Sequence, residues 1–259
     1  MYYENLDDLV FKIEKLVRDN GKILLDTKNI NIEEKEGIFN LVTDKDVLVQ
    51  NNLKKGLLEI LPDSNFIGEE SYDVEKIKED GYTFIVDPID GTNNFARDLK
   101  LSTISVALLL NGNNYISVCY NPYIDEMFVS EKGKGAFLNK EQIHVSGRSI
   151  KNGIVSIGSS PYYEELRNKG LDILKNLIND IGDFRRSGSA VLDLCNVACG
   201  RCELFYELKL QPWDFAAGAL IVKEAGGSIT DSDFNELKFD RPSSVVATNK
   251  IDDIKKYFN

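Results

Sequence analysis

At 259 residues the chain has room for one large domain or two small ones, and 42% hydrophobic with 28% charged residues provide for a substantial core. A net charge of −11 excludes the basic stripe that a nucleic-acid surface needs, and an anionic small molecule can bind only where a cation is recruited locally. No apolar run reaches the ~18 residues of a membrane span, and the opening MYYENLDDLVFKIEK, with early acids and no apolar stretch, does not read as a signal peptide, so a cytoplasmic location and four reduced cysteines are expected.

Leu6, Leu9, Val10, Ile13, Leu16 and Val17 recur at helical spacing and predict an opening amphipathic helix. A second helix is expected over 44–61, stopped by Pro62. Phe66-Ile67 and Tyr82–Val86 read as short strands. STISVALLL, NYISVCYN and EMFVSEKGKGAFLN follow as strand runs punctuated by hairpin signals. GIVSIG is then a strand, 161–181 a helix, 189–199 and 214–225 two apolar helices, SVVATN a strand and 251–258 a final helix. The order is thus helices with a mainly antiparallel sheet over 1–145, then α/β alternation over 146–259: two layered halves sharing a cleft.

The stretch IVDPIDGTNNFA ends a strand on Asp87, breaks it with Pro88, and opens a helix at Asp90-Gly91-Thr92, with Asp90 or Thr92 near the cap. Two carboxylates beside free amides suit a hard divalent cation and a phosphate oxygen. The same stretch also reads as a capped turn without chemistry. FIGEES contributes Glu69 and Glu70, and QPWDFAAGALIVKEAGG contributes Asp214 at the start of a small-residue helix. Each alone reads as an acidic turn or a capped helix. Together they supply the acidic ligands of a site for several metal ions.

These segments resemble the signatures of the inositol monophosphatase family, of the Mg²⁺-dependent, lithium-sensitive phosphatases that include fructose-1,6-bisphosphatases. DPIDGTNNF and WDFAAGALIVKEAGG carry the resemblance. NLVTDKD at 40–46, GKGAFLN at 133–139 and FRRSGSAVLDL at 184–194 support it along nearly the whole chain. It implies a layered α-β-α-β-α sandwich and a homodimer. It implies two to three Mg²⁺ ions: one on Glu69, Asp87 and the carbonyl of Ile89, a second on Asp87, Asp90 and Asp214, and a third on Glu69 with water. Glu70 would stand behind these ligands and Lys35 near the active-site loop. Thr92, oriented by Asp46, would position the attacking water with Glu69, and the amides of Gly91 and Thr92 would hold phosphate.

The substrate implied is a small phosphate monoester. Ser189 and Ala190 align with residues that contact the polyol, and Glu207 with a carboxylate that accepts ring hydroxyls; Asp90 and Asp214 also face the substrate. A carboxylate there favours inositol monophosphate over bisphosphates. Arg185-Arg186 could meet a second phosphate or a subunit, although Arg186 reads better as a structural ion-pair residue. Fructose-1,6-bisphosphate, a nucleotide 3′-phosphate, or a role as a binding partner of the transcription machinery are the alternatives. Cys195, Cys199 and Cys202 read as one packed helical face rather than a cluster site. His144, the one histidine, has no evident catalytic partner, and Trp213 reads as packing beside the metal loop.

Overall fold

The computed structural model describes residues 5–27, 30–34, 41–70 and 76–258. Helix α1 (Leu6–Leu24) starts where Asn5 Oδ1 accepts the Asp8 N–H, and buries Leu9, Ile13, Val17 and Leu24. A short pair, β1 (Ile32–Glu34) and β2 (Leu41–Thr43), leads into α2 (Asp44–Ile60). A capping box between Thr43 and Asp46 opens α2.

Next come β3 (Asn65–Gly68), β4 (Tyr82–Asp90), the short α3 (Thr92–Ala96), β5 (Thr103–Leu110), β6 (Asn113–Asn121), β7 (Glu126–Glu131), β8 (Gly135–Leu138) and β9 (Glu141–Ile143). The strands form a seven-stranded sheet in sequence order. Only β3 and β4 run parallel; the other neighbours are antiparallel. Side chains alternate between its faces. Phe84, Val86, Val106 and Leu108 pack under α1 and α2, while Ile85, Ala107, Leu109 and Cys119 face the other way.

The second half supplies β10 (Ile154–Ile157), α4 (Glu164–Leu177), β11 (Asp183–Arg185), α5 (Ala190–Ala198), β12 (Leu204–Leu210), α6 (Pro212–Glu224), β13 (Ser228–Thr230) and β14 (Ser243–Thr248). A five-stranded sheet runs in the order β11-β10-β12-β14-β13, with β10, β11 and β12 parallel. Helices α5 and α6 lie between the sheets and share one core with both, touching Ile85 and Ala107 on one side and Phe205 and Ala247 on the other. The approach is close: a Cβ on Gly218 would stand 2.6 Å from Leu194. Ile173 and Leu177 of α4 cover the outer face at Val155, Leu204 and Tyr206. The fold is a five-layer α-β-α-β-α sandwich. Every strand of the first sheet precedes residue 145 and every strand of the second follows it.

Three expectations change. Strand β4 runs on through Pro88 to Asp90 instead of ending at Val86. The final helix over 251–258 reduces to a single turn at Lys255–Tyr257. Cys195, Cys199 and Cys202 do not share a helical face: α5 ends at Ala198, Cys199 caps it, and Gly200 takes the left-handed conformation (φ 74°) that stops it. All four cysteines are free thiols. Burial pushes Cys199 and Cys202 up to about 11, which keeps them protonated and inert. No helix among the described residues is long and apolar enough to cross a membrane.

Candidate active site

Asp87 and Asp90 would face opposite ways in a regular strand, because their spacing is odd. The β4–β5 register slips by one residue between the pairs Asp87–Ser105 and Asp90–Thr103. This bulge accommodates Pro88, which has no N–H for the ladder. It brings both carboxylates to one side, where single oxygens of Asp87, Asp90 and Asp214 all lie within 4.8 Å of one another. Asp214 is set by the start of α6, where its Oδ2 accepts the Gln211 N–H at 2.7 Å. Asp87 Oδ1 accepts the Ile89 N–H at 3.0 Å.

Asp90 is the most heavily bonded of the three. Its carboxylate accepts the Ser189 hydroxyl, the Val191 N–H at 2.8 Å, the Ala190 N–H at 3.2 Å and the Thr103 hydroxyl at 3.3 Å. It therefore caps the N-terminus of α5 and ties that helix to the first sheet at the site. Burial pushes Asp90 up to about 6 despite these bonds. Burial, with the charges of Glu69, Asp90 and Asp214, also raises Asp87 well above the usual carboxylate range. Burial and the charges of Glu69 and Asp90 do the same to Asp214. Among the described residues no lysine, arginine or histidine pairs with any of the three. Crowded all-oxygen donors, two of them buried and one half-buried, with no counter-charge among the described residues, fit a hard divalent cation.

Glu69 follows β3, donates its N–H to Val86 O at 3.3 Å and lines the same cleft. The Glu70 N–H donates to Gln50 Oε1 at 2.8 Å, which fastens this turn to α2. Thr92 Oγ1 lies 3.0 Å from Asp46 Oδ1 and 3.1 Å from Ile89 O. Asp46 is buried and is pushed up to about 6 by that burial; its other oxygen takes the Thr43 N–H at 2.8 Å. Gly91 is the cap of α3, at φ 88°, with Asp90 and Thr92 on either side of it as expected. Lys35 lies outside the described residues.

These groups open into a cleft of about 720 Å³ lined by Glu69, Asp87, Ile89, Asp90, Gly91, Thr92, Ser189, Ala190, Glu207, Trp213 and Asp214. Ser189 and Ala190 reach the cleft while directing their hydroxyl and amide at Asp90. Glu207 accepts the Ser160 N–H at 2.8 Å, and burial pushes it up to about 7 against the pull of that bond and of Arg186. Arg186 also lines the cleft. It donates to Ser159 Oγ at 3.2 Å and makes no ion pair among the described residues, so it is not the structural ion-pair residue expected. Arg185 pairs with Asp183 instead.

Among the cleft residues that escaped the sequence reading are Arg97, Ser160, Asp193 and Lys209. Lys209 stands two residues after Glu207 on β12, and reading 204–210 as a strand would have found it. Asp193 is a lone acid in an apolar helix, itself a signal. It is buried, accepts the Ser187 hydroxyl at 2.6 Å, and is pushed up to about 7 by burial.

Comparison with known proteins agrees with this geometry. Residues 5–256 match the inositol monophosphatase family. An inositol monophosphatase of Dictyostelium discoideum is 36% identical over 242 residues, covering 87% of this chain and 85% of the relative. Nus factor SuhB of Escherichia coli is 36% identical over 197 residues, covering 76% and 73%. The solved structure of an IMPase from Thermotoga maritima superposes with a TM-score of 0.86 at 33% identity, covering 98% of this chain and 97% of that one. By the extent of the family match and the level of these identities, the chain belongs to the inositol monophosphatase family and is a phosphatase.

Proposed function

We propose that this chain is a Mg²⁺-dependent phosphomonoesterase that hydrolyses inositol monophosphate, or a closely related polyol or sugar phosphate, by direct attack of water. The convergence of Asp87, Asp90 and Asp214 carries the reading. Glu69, Asp87 and the carbonyl of Ile89 would hold one ion, Asp87, Asp90 and Asp214 a second, and Glu69 with water a third. Bound Mg²⁺ supplies the positive charge that draws in a phosphate ester, acidifies water and stabilises the departing oxygen.

The chain's own groups then do the positioning. Thr92 has one hydroxyl proton and two acceptors in reach, Asp46 and the Ile89 carbonyl. Giving that proton to Asp46 leaves its lone pairs free for the hydrogen of an incoming water, with Glu69 as the second acceptor. Asp46 is kept in place by its part in capping α2. The amides of Gly91 and Thr92, at the start of a helix, hold phosphate oxygens. Ser189, Ala190 and Glu207 form the wall against the polyol, and Glu207 accepts its hydroxyls. Inhibition by Li⁺ and by excess Mg²⁺, a homodimer and a cytoplasmic location belong to the same proposal.

A panel of inositol 1-phosphate, fructose 1,6-bisphosphate, 3′-phosphoadenosine 5′-phosphate and histidinol phosphate, assayed for phosphate release with Mg²⁺, tests the substrate class. Release from the polyol and sugar esters is expected; release confined to the nucleotide or to histidinol phosphate would overturn it. The likeness to Nus factor SuhB favours a second reading, a partner of the transcription machinery with incidental phosphatase activity. Capture of that machinery by an inactive Asp90→Asn variant would support it.

A further inference from the structure

The attacking water needs its two acceptors, Thr92 and Glu69, at a fixed separation, because a misplacement of about 1 Å can cost ~10²-fold in rate. The two come from different places: Thr92 opens α3, and Glu69 follows β3. One helix reaches both. Asp46 and Gln50 stand one turn apart on α2, so they share a face of it, and both are buried. Asp46 Oδ1 accepts the Thr92 hydroxyl at 3.0 Å. Gln50 Oε1 accepts the Glu70 N–H at 2.8 Å. Glu69 is therefore pinned on two sides. Its own N–H reaches Val86 O at 3.3 Å, on the strand that carries Asp87, and the next N–H along the chain reaches α2. The bond to Gln50 is the shorter of the two. Helix α2 is itself firmly set: Val49, Leu53 and Leu57 lie in the core it shares with the first sheet, and the Thr43–Asp46 box closes its start. The residue before Glu69 is shaped for the same contact. Gly68 has no left-handed backbone to explain it, yet a Cβ there would stand 2.3 Å from Gln50 Oε1, 2.7 Å from Gln50 Cδ and 2.8 Å from the Phe66 ring. A side chain at 68 would push the Gln50 amide away from the Glu70 N–H.

We propose that Gln50 is a positioning residue for the hydrolysis. Through the Glu70 N–H it fixes the Glu69 carboxylate at its working distance from Thr92, and position 68 is glycine to admit it. Gln50 acts through Glu69 and is not itself catalytic. Helix α2 thus serves as one bracket for both sides of the water, with Asp46 holding the hydroxyl and Gln50 the carboxylate turn. The inference rests on the phosphatase reading above.

Three variants test this. Gln50→Met keeps the length of the side chain but offers no strong acceptor, and Gln50→Glu keeps an acceptor oxygen at the same reach. Gly68→Ala leaves Gln50 in the chain and displaces its amide, so it breaks the same bond by a second route. The first readout is hydrogen exchange of the Glu70 amide in metal-free protein, followed by NMR. Exchange should be about ten-fold or more faster in Gln50→Met and Gly68→Ala, and within about three-fold of wild type in Gln50→Glu. The second is steady-state release of phosphate from inositol 1-phosphate with Mg²⁺. There kcat should fall about ten-fold or more in Gln50→Met and Gly68→Ala while KM stays within about two-fold, as when an interaction of the transition state alone is lost. Gln50→Glu should keep kcat within about three-fold of wild type. Unchanged Glu70 exchange in Gln50→Met, unchanged kcat despite faster exchange, or a fall in kcat that Gln50→Glu shares in full overturns the positioning role and leaves the phosphatase reading standing. Absence of Mg²⁺-dependent release by wild type from every ester of the substrate panel overturns both.

Discussion

Glu207 accepts one backbone N–H, feels Arg186, and is still pushed up to about 7 because burial penalises its charge more than those partners reward it. A carboxylate held in that balance has an oxygen left for a substrate hydroxyl. Loss of a charged acceptor costs roughly 1.5–3 kcal/mol, or about 10- to 150-fold in kcat/KM. Glu207→Ala is therefore expected to lower kcat/KM for inositol 1-phosphate by that factor. The loss on phenyl phosphate, which has no hydroxyl to offer, should be several-fold smaller. Steady-state assays on both esters check this, and equal losses would mean that Glu207 supports the loop at Ser160 rather than the substrate.

The turn from β4 into α3 depends on Gly91. Its φ of 88° is left-handed, and a Cβ there would stand 3.0 Å from Leu101 O and 3.2 Å from Gly188 O, two backbone atoms with little room to retreat. Gly91→Ala should destabilise by about 1–3 kcal/mol, seen as a lower Tm. It should also lower the rate, because the turn presents the amides proposed to hold phosphate. A Tm equal to wild type would mean that the turn tolerates a side chain. The Asp-Gly-Thr motif made this turn legible, since only a few residue types suit such a backbone. The packed helices were legible for a similar local reason: Leu9, Ile13 and Val17 recur every fourth residue and are all buried. Strand β12 escaped because LFYELKL, buried at five of its seven positions, does not show the clean alternation of a half-exposed strand. The continuation of β4 past Val86 escaped because Pro88 argues against a strand unless a bulge, a feature of the pairing with β5, takes it up. Asp214 could be named from its own helix start, but its meeting with Asp87 and Asp90 depends on α6 lying between the sheets. The roles of Arg185 and Arg186 depend on which of them has Asp183 beside it.

The whole molecule gathers buried acids at one place and carries the cost in its stability. Asp46 and Asp90 are raised to about 6, Asp193 and Glu207 to about 7, and Asp87 and Asp214 are raised as well. An acid whose folded value lies above its unfolded value adds stability that is fully present below the unfolded value and is lost as pH rises through the folded one. Metal-free protein should thus lose stability between about pH 4 and pH 7. A divalent ion that binds only the folded state reverses that loss. In EDTA the Tm should fall from pH 5 to pH 7.5. Mg²⁺ should raise it clearly at pH 7.5 and little at pH 5, as differential scanning fluorimetry can read; equal shifts at both values would contradict the linkage. The same cluster gives the most direct test of the central claim, that three converging carboxylates hold the catalytic metal. Phosphate release from inositol 1-phosphate should be followed in EDTA and after Mg²⁺ is restored, for wild type and Asp90→Asn. The account predicts no release by wild type in EDTA and recovery with Mg²⁺. It predicts a rate at least ~10³ lower for Asp90→Asn even in excess Mg²⁺. Release that persists in EDTA, or wild-type turnover by Asp90→Asn, would contradict it.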